Sequence, residues 1–193
     1  MASIITATTS SGLTQSADNS GVLQLASGSG NLVTVPSVTG TAMVSGNMPA
    51  FSAALSGNQT INNDTTTKLT LNTEVYDTNN CYDPTTNYRF TPNVAGYYLI
   101  NLKAGFSGTG TRNYLFNTFI YKNGSSFSGS SSTLALVAGS GVDSSISSSM
   151  LIYMNGSSDY LEAYVYQYDY TATSTIVIKS AQTNFNGSLV RAA

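Results

Sequence analysis

Every aromatic residue of the chain, 13 Tyr and 7 Phe, lies at Phe51 or later. Rings supply much of the area that a small core can bury, so the packed body of this 193-residue chain must begin near position 51. Charge is divided in the same way: Asp18 is the only charged side chain ahead of Asp64. Apart from Asp18, residues 1–50 are uncharged, and they are mostly small and rich in Ser, Thr, Gly and Val. Two runs of β character interrupt them, 21–25 (GVLQL) and 31–35 (NLVTV), each bordered by Gly, Ser or Asn turn signals. Two short strands bury too little surface to offset the entropy lost on ordering them. The segment is therefore expected to be an unstructured tail or, the favoured reading, an extended arm that orders against a larger assembly or its own copies. In that role the apolar side chains of Leu13, Val22, Leu23, Leu25, Leu32, Val33 and Val35 make the attachment. The opening MASIITATTSS has neither a basic stretch nor a long apolar run, so a cleaved secretory signal is not expected.

Composition narrows the classes of function. Charged residues are 8% of the chain, against about 25% in an ordinary soluble domain. Seven Lys and Arg, dispersed, give no basic patch for phosphate contact, so nucleic acid is not an expected partner. No run of 18 apolar residues exists to span a membrane as a helix. Without His, and with the single Cys81, zinc sites and His-based catalysis are not expected. Ser, Thr and Asn total 72 residues, and together with Gly and Tyr they disfavour helix, whereas Thr, Tyr, Val and Ile favour strands. The expected class is all-β, held together by burial because one Cys makes no intramolecular disulfide.

From Phe51 the chain alternates. Strand-like runs at 68–71, 73–76, 88–90, 97–104, 113–121, 134–138, 149–154, 160–168, 174–178 and 185–190 are separated by Gly, Asn and Ser turns. That density predicts an antiparallel sandwich or jelly roll over 51–193, carrying the arm of residues 1–50. In 159–168, period-two spacing sends Leu161, Ala163 and Val165 to one face and Tyr160, Glu162, Tyr164, Tyr166 and Tyr168 to the other. The aliphatic face is expected in the core. The tyrosine face suits a contact between subunits, with scattered surface tyrosines serving strand propensity as the plain alternative.

Several blocks in this stretch, read in order, resemble the complement C1q / tumour necrosis factor-like jelly roll. They are 51–54 (FSAA), Tyr82-Asp83, 90–98 (FTPNVAGYY), 121–124 (YKNG), 159–163 (DYLEA) and 183–190 (TNFNGSLV), with Ser188 standing where the family has an aromatic. The resemblance covers about residues 51–193 and implies a compact homotrimer around an axis lined with aromatic and apolar side chains. Tyr97, Tyr98, Tyr160, Tyr164, Tyr166 and Tyr168 are the corresponding candidates. Residues 11–27 (SGLTQSADNSGVLQLAS) are similar to segments of structural proteins of tailed bacteriophages, fibres and other virion appendages above all.

No catalytic constellation stands out. Glu74, Asp77, Asp83, Asp143, Asp159, Glu162 and Asp169 offer carboxylates, yet no spacing singles out a hydrolytic pair. The loop from Asp77 to Asp83 clusters oxygen ligands that suit calcium or, the simpler reading, Asx turns. Cys81 has no base nearby and reads as an inert thiol. The chain is thus expected to be no enzyme, with no cofactor and no resident metal. The favoured reading is a homotrimeric tail-fibre-type protein on the virion surface, its arm bound to other virion proteins and its head contacting a host glycan or protein through loops 105–112, 124–132 and 139–147. A capsid decoration or cement trimer is the alternative, and a secreted C1q/TNF-like ligand a third.

Overall fold

The structure, a computed structural model, describes residues 23–27, 31–35, 46, 48–107, 112–138, 143–170 and 174–193. The chain forms two compact units, Met1–Gly40 and Thr41–Ala193. In the first, β1 (Leu23–Ser27) and β2 (Asn31–Val35) pair antiparallel with Leu23 opposite Val35. Leu23, Leu25, Leu32, Val33 and Val35 thus lie on strands; Leu13, Val22 and the side chains of the hairpin fall outside the described residues.

The second unit is a sandwich of two antiparallel sheets, the jelly-roll class that the alternation predicts. One sheet is organised by β9 (Gly96–Ser107), which pairs along its whole length with β13 (Asp143–Met154). The other edge of β9 takes β16 (Asn184–Ala192) and, further along, β15 (Ile176–Ile178). Beyond β16 come β3 (Ala50–Ala54) and the edge strand β6 (Thr73–Asp77); β4 (Gln59–Ile61) pairs with β15. The second sheet centres on β10 (Arg112–Lys122) and β14 (Leu161–Asp169), in register with Phe119 opposite Tyr164. β10 also pairs with β11 (Ser125–Ser126) and β12 (Ser132–Ala138), while β14 also pairs with β5 (Thr67–Lys68) and β8 (Arg89–Phe90), the latter leading to β7 (Tyr82–Asp83).

Alternation fills the space between the sheets. Tyr98, Ile100, Leu102, Ala104 and Phe106 of β9 meet Tyr114, Phe116 and Ile120 of β10 and Leu161, Ala163 and Val165 of β14, all buried. The blocks that carry the family resemblance converge here: Phe51 stacks on Phe90 at 4.1 Å and on Tyr82 at 5.3 Å, with Phe185 edge-on at 5.1 Å. Tyr98 lies edge-on to Phe90 at 5.5 Å. Gly187 sits mid-strand because a Cβ there would meet Ile100 Cδ1 at 2.4 Å and Phe51 Cε1 at 3.1 Å. Across the sandwich the Thr118 and Ser148 hydroxyls bond at 2.7 Å, so this buried polar pair is satisfied.

Two sequence expectations change. The long loops at 105–112 and 139–147 are shorter, because β9 runs to Ser107 and β13 begins at Asp143 despite its serines. Ladder pairing of Ser144, Ser145 and Ser147 with β9, and burial of Ile146, override weak local preference. Residues 108–111 and 139–142 lie outside the described residues. The segment 124–132 is mostly exposed, as expected, and is pinned at Ser130, which is buried with its Oγ accepting from Ile120 N and donating to Ile120 O.

Candidate functional site

The side chains that the head offers to a partner lie on the outward faces of the two sheets. On the β9 sheet the residues between the core positions point outward. Tyr97 lies opposite Tyr153, and Leu99 opposite Leu151. In β16 alternation keeps Leu189 buried and turns Val190 outward, and a register shift follows between Leu189 and Arg191. Tyr97, Leu99, Leu151, Tyr153 and Val190 are 41–57% exposed, and the two tyrosine rings meet edge-on at 5.4 Å. Contiguous apolar side chains on a sheet already backed by its own core mark an interaction surface. Covering each would contribute roughly 1 kcal/mol, about half the value for full burial of such a side chain.

Further along the same face the surface becomes polar, with the exposed Lys103 of β9 opposite Asn184. Ser149 Oγ donates to Asn101 Oδ1 at 2.7 Å, and Asn101 Nδ2 donates to Asn186 Oδ1 at 3.1 Å. Asn186 Nδ2 in turn donates to Asn184 Oδ1, and Asn184 Nδ2 to Ser52 Oγ at 2.9 Å. One directional row of hydrogen bonds therefore joins β13, β9, β16 and β3.

The β10/β14 sheet carries the tyrosine face. Tyr160, Tyr164, Tyr166 and Tyr168 are half-buried, covered by one another and by their neighbours. Tyr164 stacks on Tyr121 at 4.1 Å with a 25° tilt, and Phe119 meets Tyr121 edge-on at 6.4 Å. Tyr168 meets the exposed Tyr170 at 4.9 Å. Tyr166 OH donates to Asp64 Oδ1 at 2.7 Å, a bond that pushes the phenol up to about 12 because ionisation would set two negative charges together. Burial, and then Glu162, raise the Tyr164 phenol as well. Glu162 pairs with Lys68 at 2.5 Å, and the Arg89 guanidinium lies 4.4 Å over the Tyr160 ring.

Tyr98 leaves the set of contact candidates. It is 0% exposed within its own chain, and its hydroxyl donates to Val94 O at 2.7 Å. Its neighbour Tyr97 is on the surface, as alternation requires. Leu99, Leu151, Tyr153 and Val190 escaped the sequence reading, although a signal exists: 97–100 and 150–154 are apolar at successive positions, so both faces of those strands are apolar.

The Asp77–Asp83 loop is closed by its own amides. Asp83 Oδ1 accepts from Thr85 N at 2.9 Å and Thr86 N at 3.0 Å, and Oδ2 from Asn87 N at 3.0 Å. These donors hold the Asp83 carboxyl well below the usual carboxylate range. Asp77 Oδ1 accepts from Asn79 N at 3.2 Å and Oδ2 from Tyr82 N at 2.6 Å. Both carboxylates are thus committed to Asx-turn geometry, with their oxygens facing N–H donors. Cys81 is buried, its Sγ lies 3.5 Å from Asn79 O, and burial raises its thiol. Among the described residues no group of three or more His, Cys, Asp or Glu is placed to hold a metal, and no helix is long and apolar enough to cross a membrane.

Comparison with known proteins places the fold in a class. No family model matches the chain, and no curated protein matches it in sequence. Solved structures do match. Murine APRIL at pH 5.0 superposes with a TM-score of 0.50 and 10% identity over 74% of this chain and 99% of that one. Eiger TNF from S. frugiperda gives 0.48 and 11% identity over 76% of this chain and 93% of that one. The head therefore has a TNF/C1q-like jelly-roll fold.

Proposed function

We propose that the chain is a non-enzymatic structural protein of a tailed-phage virion, a homotrimeric tail-fibre-type appendage that adheres to the host surface. The head trimerises through the outward face of the β9 sheet and projects from the particle, while residues 1–50 bind other virion proteins. The observation that carries this reading is the exposed apolar patch of Tyr97, Leu99, Leu151, Tyr153 and Val190. It is freer of its own chain than the tyrosine face of β14, so the subunit contact is assigned to it. The family resemblance of the sequence blocks supports three copies, and the likeness of residues 11–27 to virion appendages supports the particle. Three copies convert weak single contacts with a host into avidity.

Sedimentation of the full chain tests the assembly: a mass of three chains is expected, falling to one in Leu99→Ser/Leu151→Ser with an unchanged far-ultraviolet spectrum. A wild-type monomer at micromolar concentration removes the trimer. Cryo-electron microscopy of the particle tests location. Density on the tail is expected; density on the head lattice replaces the fibre with a cement protein, and absence from the particle removes both.

A further inference from the structure

One-electron oxidation has few places to go in this chain. There is no Trp and no His, and the one Cys, Cys81, is buried. Methionine takes oxygen by a two-electron route. The 13 tyrosines are therefore the sink. Among the described residues three pairs of them are in ring contact. Tyr97–Tyr153 and Tyr168–Tyr170 stand edge-on, with planes 61° and 80° apart. Of the three, only Tyr121–Tyr164 is near-parallel, its centroids 4.1 Å apart and its planes tilted by 25°. An edge-on pair sets the rim of one ring on the face of the other, whereas near-parallel rings bring rim carbons of both together.

The ladder holds this pair in place. Phe119 faces Tyr164 and Tyr121 faces Glu162, so the two tyrosines are diagonal neighbours on the outward face, within reach of each other. β10 and β14 keep one register from Tyr114–Asp169 to Lys122–Leu161, so the rings are anchored on the two central strands of the sheet. Glu162 stands by both phenols: it is opposite Tyr121, and its charge adds to burial in raising Tyr164. Its carboxylate gives a departing phenol proton an acceptor.

We propose that Tyr121 and Tyr164 are an oxidative modification site, where peroxide acting through a one-electron oxidant joins the two rings as dityrosine and staples β10 to β14. Each phenol gives up one electron and its hydroxyl proton, which leaves unpaired spin on the ring carbons beside the oxygen. A bond forms between one such carbon of each ring. The hydrogens on those two carbons then move to the oxygens and restore both phenols. The two electrons and two protons reduce one hydrogen peroxide to two waters. Contact within the fold makes the coupling unimolecular, which favours it over links between chains. The new bond closes the loop from 121 to 164 and restricts the unfolded chain, as a disulfide would. Cys81, free and single, makes no such link within the chain. The staple stands apart from the assembly and location proposed above, since it joins residues of one chain.

Treatment of the dilute full chain with a haem peroxidase and limiting hydrogen peroxide tests this, read by dityrosine emission and by fragmentation of the cross-linked peptides. A Tyr121–Tyr164 link is expected, in chains that still run singly on a denaturing gel and in a yield that does not change on dilution. Tyr121→Phe and Tyr164→Phe keep a ring in the stack and should each lose that link. Tyr170→Phe, which removes an exposed phenol, should keep it. The linked chain should melt above the unoxidised one. Absence of dityrosine, a dominant link at another pair or between chains, or survival of the emission in Tyr121→Phe overturns the site. A linked chain that melts no higher overturns the staple.

Discussion

Asp83 gathers three backbone N–H groups and the Asn87 amide onto one carboxylate, and this makes the turn after β7 sensitive to acid. Its carboxyl is depressed in the folded chain, so its contribution to stability is complete above the unfolded value, about 3.9, and is lost as pH falls toward the folded one. Asp83→Asn should therefore melt below the wild type at neutral pH, with the gap narrowing as thermal scans move below about pH 4. Gly187 acts by absence: Gly187→Ala drives a methyl into Ile100 and Phe51 and should cost about 1–3 kcal/mol in urea unfolding, as overpacking does. At this scale the sequence was legible where alternation decides and blind where it does not. Tyr97 and Tyr98 are the same residue type in adjacent positions, and the Phe90 ring and the Val94 carbonyl beside Tyr98 separate their roles. The Asp77–Asp83 loop was ambiguous for a related reason, because oxygen-rich side chains serve cations and amides alike until the donors are in place.

Among the elements, the β10–β11 hairpin is the one most fully specified by local chemistry. Asn123 and Gly124 take φ of 53° and 80°, the two positive values of a type I′ turn, and Lys122 faces Ser125 across it. The turn is also tied to β14: Asn123 Oδ1 accepts from Tyr160 N at 2.9 Å, and Nδ2 donates to Asp159 Oδ1 at 2.8 Å. Burial would raise the Asp159 carboxyl, but bonds from Asn123 and Lys122 outweigh it and hold it low. Asn123→Ala removes both bonds and replaces a residue type that tolerates left-handed backbone with one that does not, so a loss of about 2–3 kcal/mol in urea unfolding is expected. This turn was readable from Asn-Gly alone, and the core side of β14 from its alternation. The serine-rich start of β13 was not, since its strand state comes from the facing residues of β9. Nor could spacing tell that the apolar surface of β9 and β13 would be the more open of the two outward faces; that depends on how far neighbouring rings cover β14.

At the scale of the whole molecule, assembly and stability should be linked. If the β9 faces meet in a trimer, the melting temperature rises with protein concentration by mass action. Differential scanning calorimetry at concentrations a hundredfold apart should register that rise in the wild type and none in Leu99→Ser/Leu151→Ser. The sandwich itself was foreseeable from turn density and alternation over 51–193, because those patterns report the two-layer packing directly. The division of labour between its surfaces required three-dimensional placement. The row from Ser149 through Asn101, Asn186 and Asn184 to Ser52 adds one more consequence. Each group hands its hydrogen to the next in a single sense, so the small dipoles accumulate across the sheet instead of cancelling. Around a threefold axis, three such vectors sum to zero in the plane perpendicular to it. Rotational symmetry would thereby let a hydrophilic band be enclosed with no net lateral dipole.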